Sequence, residues 1–462
     1  DLNMPLILPG NVGSATAASG FDVSNSCRFN RADSADMTLS MSSGGSQTKF
    51  TKSFWVKRCT VGEQHYIYDN SGTTQIFFHF RDSDKIGLGI FNSGAYSTEL
   101  ISTQLFRDVS AWYHFVIAVD YTNGTQAHRA RIYVNGTEIT AFDTGTRPGN
   151  DSTTFDTFNS DKTHYIGSNA SSNHYLHGYL AEVVHIDNAQ LAPDQFGEFD
   201  EDSGIWKPID VSGLTFGTKG YYLDYKASGN LGNDANGGTD WTENNFAATD
   251  QSIDTCTNNF CTMNPLIPTT NATFSEGNCK LAIGGSSIQG AGIGTFGLTT
   301  GKWYWEVKLL ADKDNHTHGV ISELTAELNA NVTAIQNDVG VTSWINGDGG
   351  EVVVDGSATT ADYGIMAENS IMGIALDIDN YNISYYNNGS ASVTDFNMST
   401  TRGTIFPLIK MGINCTAEVN FGGCSAFAVS SGNTDGNGFG NFEHAPPSGY
   451  FAICSKNLAE NG

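Results

Sequence analysis

The sequence predicts an all-β fold of two tandem antiparallel β-sandwiches joined by an ordered connector, and three observations lead there. Residues 112–139, WYHFVIAVDYTNGTQAHRARIYVNGTEI, hold two β-branched, aromatic-rich runs around a polar turn at Thr122-Asn123-Gly124, with a second turn at Asn135-Gly136. Residues 371–390, IMGIALDIDNYNISYYNNGS, repeat the scheme: an apolar run, a turn at Asp377 to Asn380, and a return strand closed by Asn388-Gly389. A chain of 462 residues is also too long for a single core. In the first hairpin His114, Val116 and Ala118 point one way, and Tyr113, Phe115, Ile117 and Val119 the other. A strand apolar on both faces belongs inside a sandwich.

Aromatic residues at 11%, charged residues at 16% and 52 glycines fit short strands joined by many polar turns. The formal net charge of -26, from 49 acidic against 23 basic residues, repels a phosphate backbone and argues against nucleic-acid binding. Loops of Asp and Asn are candidate weak Ca²⁺ sites, and no other cofactor is expected. No apolar run approaches the roughly 20 residues of a membrane span. DLNMPLILPGN lacks the basic region of a signal peptide, and a start at Asp1 rather than Met fits removal or omission of something upstream. The eight cysteines form no C-x-x-C metal pair. Cys27 with Cys59 and Cys256 with Cys261 are the candidate disulfides, with buried thiols as the alternative.

In chain order, residues 1–19 read as an extended arm, a tether or a strand lent to a neighbour. Strand-like runs follow at 26–30, 50–57, 65–68, 75–80, 85–91 and 98–101, then the 112–139 hairpin, 164–166 and 179–186. Turn signals such as Asp69-Asn70-Ser71-Gly72 and Arg147-Pro148-Gly149-Asn150 separate them. The run Ala192-Pro193-Asp194-Gln195-Phe196 is a helix start, with Pro just inside it. This bounds a first sandwich at 20–197. Residues 198–268, acidic and then Gly/Asn-rich, carry Trp206, Tyr221, Tyr222 and Trp241, so they read as a connector that packs through those rings. The second sandwich spans 269–462. Within it Ile321, Leu324, Leu328, Val332 and Ile335 fall at helical spacing and predict a short amphipathic helix capping the sandwich.

Several runs carry family resemblances. FTKSFWVKR at 50–58, WYHFVIAVD at 112–120, RIYVNGTEI at 131–139, YIGSN at 165–169 and HGYLAEVVHIDNAQLAPDQFG at 177–197 resemble the laminin-G-like branch of the concanavalin A-like lectin/glucanase fold. That resemblance implies a two-sheet jelly roll that often binds carbohydrate, sometimes with Ca²⁺. KWYWEVKLL at 302–310, YGIMAENSIMGIALDIDNYNISYYNNG at 363–389, IFPLIKMG at 405–412 and AEVNFG at 417–422 resemble a SPRY domain. SPRY domains bind peptides, proteins or glycans through variable loops. PLILPGN at 5–11, NSCRFN at 25–30, GEFDEDSGIWKPID at 197–210, TNNFCTMNPL at 257–266, TFSEGN at 273–278 and PPSGYFAI at 446–453 together resemble tailed-bacteriophage structural proteins, especially marine ones. In these a lectin-like jelly roll is joined to a SPRY domain on tail fibres or the capsid surface.

Catalytic signals are weak. Glu198-Phe199-Asp200 imitates the carboxylate strand of glucanases but sits in a polar loop, with no acid at position 203. The G-x-G-x-x-G at 292–297 leads into a strand and not a helix, so it reads as a turn. The Ca²⁺-loop imitation from Asn433 has His444 at its twelfth position and reads as a mobile Gly-rich loop. His174, His177 and Asp187 are a remote metal trio. Binding remains. Sugars are recognised by aromatic faces beside short polar side chains, which singles out Tyr96, Tyr175 beside Asn173, and Trp344 beside Asn346 and Asp348. The expectation is a non-enzymatic protein of the phage virion surface, on a fibre or capsid and a symmetric homo-oligomer. It would contact host-surface glycans or other virion proteins, with structural decoration of the particle as the alternative and a secreted glycan-active enzyme further behind.

Overall fold

The computed structural model describes residues 20–42, 44–72, 74–92, 94–149, 158–267, 272–284, 290–310, 316–323, 325, 335, 338–347, 349–359, 361–400 and 403–462. The expected arm at 1–19 lies outside them. The fold is nearly all β, with 45% strand against 5% helix. The chain divides into two compact units, with the boundary between Thr257 and Asn258.

In the first unit one sheet runs Thr137–Glu138, Ala130–Val134, Trp112–Asp120, Lys49–Arg58, Gly178–Asp187, Ser26–Phe29, Gln251–Ser252, with Tyr221–Leu223 also paired to Gly178–Asp187. The second sheet runs Phe142–Thr146, Ala95–Ser102, Ile86–Asn92, Thr74–Phe80, His65–Asn70, Thr163–Ile166, Asp36–Ser40, Thr242–Asn244. Alternation zips the two together. Phe54 and Phe115 from the first sheet meet Phe78 from the second at ring separations of 5.7 and 5.5 Å. The strand Trp112–Asp120 is buried on both faces, as its sequence predicts. Phe115, Ile117 and Val119 enter the main core, while Val116 and Ala118 pack with Phe196, Val211 and Phe216 on the outer side. The next turn, from Ala130–Val134 into Thr137–Glu138, runs through Asn135 (φ 46) and Gly136 (φ 77), whose αL geometry is the reason for an Asn-Gly pair. A Cβ on Gly136 would also lie 2.4 Å from the Trp206 ring.

The expected connector at 198–268 is corrected: residues 198–257 complete the first sandwich. Tyr221–Leu223 pairs with Gly178–Asp187, Thr242–Asn244 with Asp36–Ser40, and Gln251–Ser252 with Ser26–Phe29. Trp241 is in the main core, edge-on to Tyr221 at 5.1 Å. Trp206 donates its Nε1–H to His114 Nδ1 at 2.9 Å, and His114 in turn stacks on Trp55. Two buried ion pairs tie in the end of the segment: Arg28 with Asp250 at 2.9 Å and Lys57 with Asp254 at 2.7 Å. The expected helix at Ala192 is a single 3₁₀ turn, Pro193–Gln195.

Both disulfide expectations are corrected as well, since all eight cysteines lie among the described residues and carry thiols. Cys27 lies in Ser26–Phe29, and Cys59 follows Lys49–Arg58. The strand Gly178–Asp187 runs between those two. Two inter-strand steps of about 4.8 Å exceed the roughly 7 Å that a disulfide spans between Cα atoms. Cys256 belongs to the first unit and Cys261 to the second, where Cys261 accepts Thr295 Oγ1–H at 3.7 Å.

In the second unit the larger sheet runs Ala272–Ser275, Lys280–Ile283, Thr416–Asn420, Lys302–Leu309, Ile371–Asp377, Asn382–Asn387, Ser390–Asn397, with Phe451–Ala452 parallel to Lys302–Leu309. The smaller runs Gly290–Ile293, Ile405–Met411, His316–Ser322, Val341–Ile345, Glu351–Val354, Ser357–Ala358. Trp303, Trp305, Trp344, Ile374 and Ile409 fill the space between them. The second predicted hairpin is present as Ile371–Asp377 and Asn382–Asn387. The predicted helix is contradicted at Ile321, which lies in the strand His316–Ser322 and shares an apolar cluster with Ile335. Leu324, Leu328 and Val332 lie outside the described residues. Gly290–Ile293 is a strand rather than a turn. Its Gly292 leaves room for Met263, whose Cε would stand 2.5 Å from an added Cβ.

Candidate functional site

The outer face of the second sheet in the first unit gathers the features that point to a ligand. Its alternation sends Met37, Ile166 and Tyr68 into the core, leaving Asp36, Thr38, Thr163, Tyr165 and Asp69 on the other face. Register then sets neighbours: Thr38 pairs with Tyr165, Tyr165 with Asp69, and Asp36 with Asn244. Ser34, Asp36, Thr38, Thr163, Tyr165, Ser172, Tyr175, Asn244 and Asn245 line a shallow cleft of about 440 Å³ at the edge of this sheet.

The polar groups of the cleft are held in place. Asp36 accepts hydrogen bonds from Ser168 Oγ at 2.5 Å and Asn244 Nδ2 at 2.8 Å. Asn245 Nδ2 donates to the Ser34 carbonyl at 3.2 Å. Asp69 accepts from the Ala170 and Asn70 backbone N–H groups, each at 2.8 Å. Burial pushes the Asp69 carboxyl up to about 7 against those two bonds. Burial, together with Asp36 and Asp69, also raises the Tyr165 phenol. The loop that brings Tyr175 to the cleft is shaped by Asn169, whose side-chain oxygen accepts the N–H groups of Ser171 and Asn173 at 3.1 and 3.0 Å.

From the cleft an aromatic strip continues across the same face. His174 lies 6.0 Å from Tyr66 between ring centres, Tyr66 4.9 Å from His79 and 5.6 Å from Phe77, and Phe77 6.3 Å from Tyr96. Phe77 and His79 lie over two glycines of the next strand. A Cβ on Gly89 would stand 2.3 Å from the Phe77 ring, and one on Gly87 2.5 Å from His79 Nε2. These two rings form a nearly buried floor, while Tyr96 is 43% exposed.

Of the three expected ligand residues, Tyr96 and Tyr175 thus share one sheet face, at opposite ends of the strip. Trp344 is corrected to a core residue. It is fully buried, its ring 5.4 Å from Tyr385, and its neighbour Asn346 is spent on the Met366 backbone at 3.0 and 2.8 Å. Asp348 lies outside the described residues. Sequence reasoning missed Tyr66, Phe77, His79 and Tyr165. The IGLGI run at 86–90 was the available signal, because glycines alternating with core aliphatics leave a flat outward surface.

Among the described residues no group of three His, Cys, Asp or Glu is arranged to hold a metal ion. His174 is exposed, His177 is buried, and Asp187, at the far end of the ten-residue strand Gly178–Asp187, accepts the Ser46 N–H at 2.8 Å. The Ca²⁺-loop imitation is a loop gathered around one carboxylate. Asp435 accepts from Asn437 N, Phe439 N, Ala452 N and Asn457 Nδ2 at 2.7 to 2.9 Å. Asp200 of the glucanase imitation is held by Ser203 and Lys207 on an exposed hairpin. The Glu of the Trp-Glu-Val run, Glu306, is buried and accepts the backbone N–H groups of Glu443 and His444 at 3.0 and 2.7 Å.

The family model described as the concanavalin A-like lectin/glucanases superfamily matches residues 31–194, and the SPRY domain model matches residues 302–424. Comparison with curated proteins finds no match. Among solved structures, the SPRY domain of human HERC1 is similar at 14% identity and TM-score 0.28, covering 36% of this chain and 99% of that one. The TRIM65 PSpry domain is similar at 13% identity and TM-score 0.29, covering 35% and 91%. A structure from Bacteroides ovatus ATCC 8483, described as "a putative carbohydrate binding protein", is similar at 18% identity and TM-score 0.32, covering 48% of this chain and 59% of that one. The chain therefore carries a concanavalin A-like domain of the laminin-G type in its first unit and a SPRY domain in its second.

Proposed function

We propose that the chain is a glycan-binding protein that holds saccharide in the cleft of its first unit without cleaving it. One observation carries the reading: Tyr165 and Tyr175 flank a cleft whose other lining side chains are Ser, Thr, Asp and Asn. Rings supply flat apolar faces for the C–H side of a sugar, and short fixed polar groups meet its hydroxyls. Asp36, which lines the cleft, and Asp69, which pairs with Tyr165 in the sheet, argue for binding over hydrolysis. Asp36 is 5% and Asp69 3% exposed, and both spend their oxygens on protein donors, so neither presents a free carboxylate to a glycosidic bond.

The finer assignment is to the surface of a tailed-phage particle, on a fibre or capsid, as a symmetric homo-oligomer meeting host-surface glycans or neighbouring virion proteins. Its support is the resemblance of runs such as PLILPGN, GEFDEDSGIWKPID and PPSGYFAI to phage structural proteins. Weak single sites repeated on a particle would gain avidity without new contacts. A printed glycan array probed with wild type, Tyr165→Ala and Tyr175→Ala tests the site. Wild type should bind and both variants should lose signal while melting normally. Shortening of a bound polysaccharide on incubation would replace the binding reading with an enzymatic one. Regular antibody labelling of particles with no glycan bound would favour the decoration role.

A further inference from the structure

We infer that the ligand is an extended, uncharged glycan chain of several sugar units, running from the Tyr165–Tyr175 cleft along the aromatic strip to Tyr96. The inference rests on the glycan-binding reading and adds to it a length and a charge. Three observations carry it.

The strip is continuous with the cleft. His174 follows the loop geometry that places Tyr175, and ring contacts lead from it through Tyr66 and Phe77 to Tyr96 and on to Phe91, 5.2 Å from Tyr96. From the strand of Tyr165 to that of Tyr96 are four inter-strand steps, roughly 19 Å, which is longer than one sugar ring. A monosaccharide would use only one end.

The strip is also built as a platform. Gly87 and Gly89 stand on the outward side of their strand, where side chains would otherwise rise. Without Cβ atoms there, Phe77 and His79 lie down across the neighbouring strand. Gln64 Nε2 fixes the second ring, 2.8 Å from His79 Nδ1. The result is a low floor with Tyr66 and Tyr96 above it, which suits a ribbon-like chain crossing the sheet. Such a surface gives a sequence of stacking positions in place of one enclosed pocket.

Charge narrows the class. The face carries Asp36 at the cleft and Glu99 opposite Gly89, with Arg81 between them, on a chain of net charge -26. A sulfated or carboxylated chain laid along this path would meet an acidic group toward each end.

The test is an array of neutral glycans graded from monosaccharide to hexasaccharide, with sulfated and sialylated counterparts, probed with the full chain. Wild type should gain affinity with length on neutral chains. Tyr96→Ala, at an exposed ring, should lose roughly tenfold on hexasaccharides, equal to about 1.4 kcal/mol, and nothing on disaccharides. Tyr165→Ala should lose both, and unchanged melting of the two variants shows that each is folded. Equal affinity for short and long chains, with Tyr96→Ala indistinguishable from wild type while Tyr165→Ala abolishes binding, would overturn the extended path and leave the cleft standing. Preference for sulfated or sialylated chains would overturn the charge argument. Failure of wild type on every glycan would remove the underlying reading as well.

Discussion

Replacing Asp254 by Ala tests whether residues 198–257 belong to the first sandwich. Asp254 is fully buried and holds Lys57 Nζ at 2.7 Å and Trp112 Nε1 at 3.1 Å, while the Lys57 side chain is 1% exposed. Removing the carboxylate leaves an ammonium in the interior with its counter-charge gone. Breaking a buried pair in this one-sided way costs about 3–5 kcal/mol, whereas replacing both partners with apolar groups is often neutral. For a unit of this size each kcal/mol moves the midpoint by about 2–4 °C, so the component of the melt from the first unit should fall by roughly 10 °C. Differential scanning calorimetry reads this directly once Ile374→Ala, a core truncation in the second unit, identifies the other component. The double variant Lys57→Met with Asp254→Leu should recover most of the loss. An unchanged melt in Asp254→Ala, or a shift confined to the component that Ile374→Ala moves, would refute the assignment.

Other perturbations follow from the same geometry. A Cβ on Gly89 would meet the Phe77 ring at 2.3 Å, so Gly89→Val should cost about 1–3 kcal/mol in urea unfolding and weaken glycan binding. Burial pushes the Glu306 carboxyl from an ordinary 4.5 up to about 7, so between those values the folded state keeps a proton that the unfolded chain has released. Stability must then fall as pH rises through that window. Relative to wild type, Glu306→Gln should gain about 3 kcal/mol between about pH 5 and about pH 8, and a constant difference in urea unfolding would contradict the argument. In the first unit burial pushes His65, His79, His114 and His177 down to about 3, against Asp69 and Glu182 pushed up to about 7. The histidines outnumber the carboxyls. The first unit's melting temperature should therefore climb from about pH 4.5 to about pH 6.5, and a decline there would show that the acids dominate.

The hairpins at 112–139 and 371–390 were legible because their information is local. Alternation marks the strands, and Asn-Gly marks the turns. The role of residues 198–257 was not, because their partners lie far away in sequence: Thr242–Asn244 pairs with Asp36–Ser40 and Gln251–Ser252 with Ser26–Phe29. Short strands that add to a sheet edge carry too few residues for a period to show. Trp344 illustrates a second limit. A tryptophan beside Asn and Asp has the composition of a sugar site, yet Asn346 turns inward to bond the Met366 backbone and the ring fills the core. Tyr165 is the converse. It sits between two inward residues, His164 and Ile166, and only the register with Thr38 and Asp69 shows which side faces out. For Ile321 the 3.6-residue spacing was a coincidence, and its β-branched side chain, which favours a strand over a helix, was the better signal.

Sugar binding to the outer face of the first unit's second sheet underlies every functional prediction above. A crystal structure of the full chain with a bound neutral hexasaccharide tests it most directly. One sugar ring should lie between Tyr165 and Tyr175, within hydrogen-bond reach of Asn244 or Thr38, with later units over Phe77 toward Tyr96. Sugar density on another face of this unit, or in the second unit with the cleft empty, would contradict it.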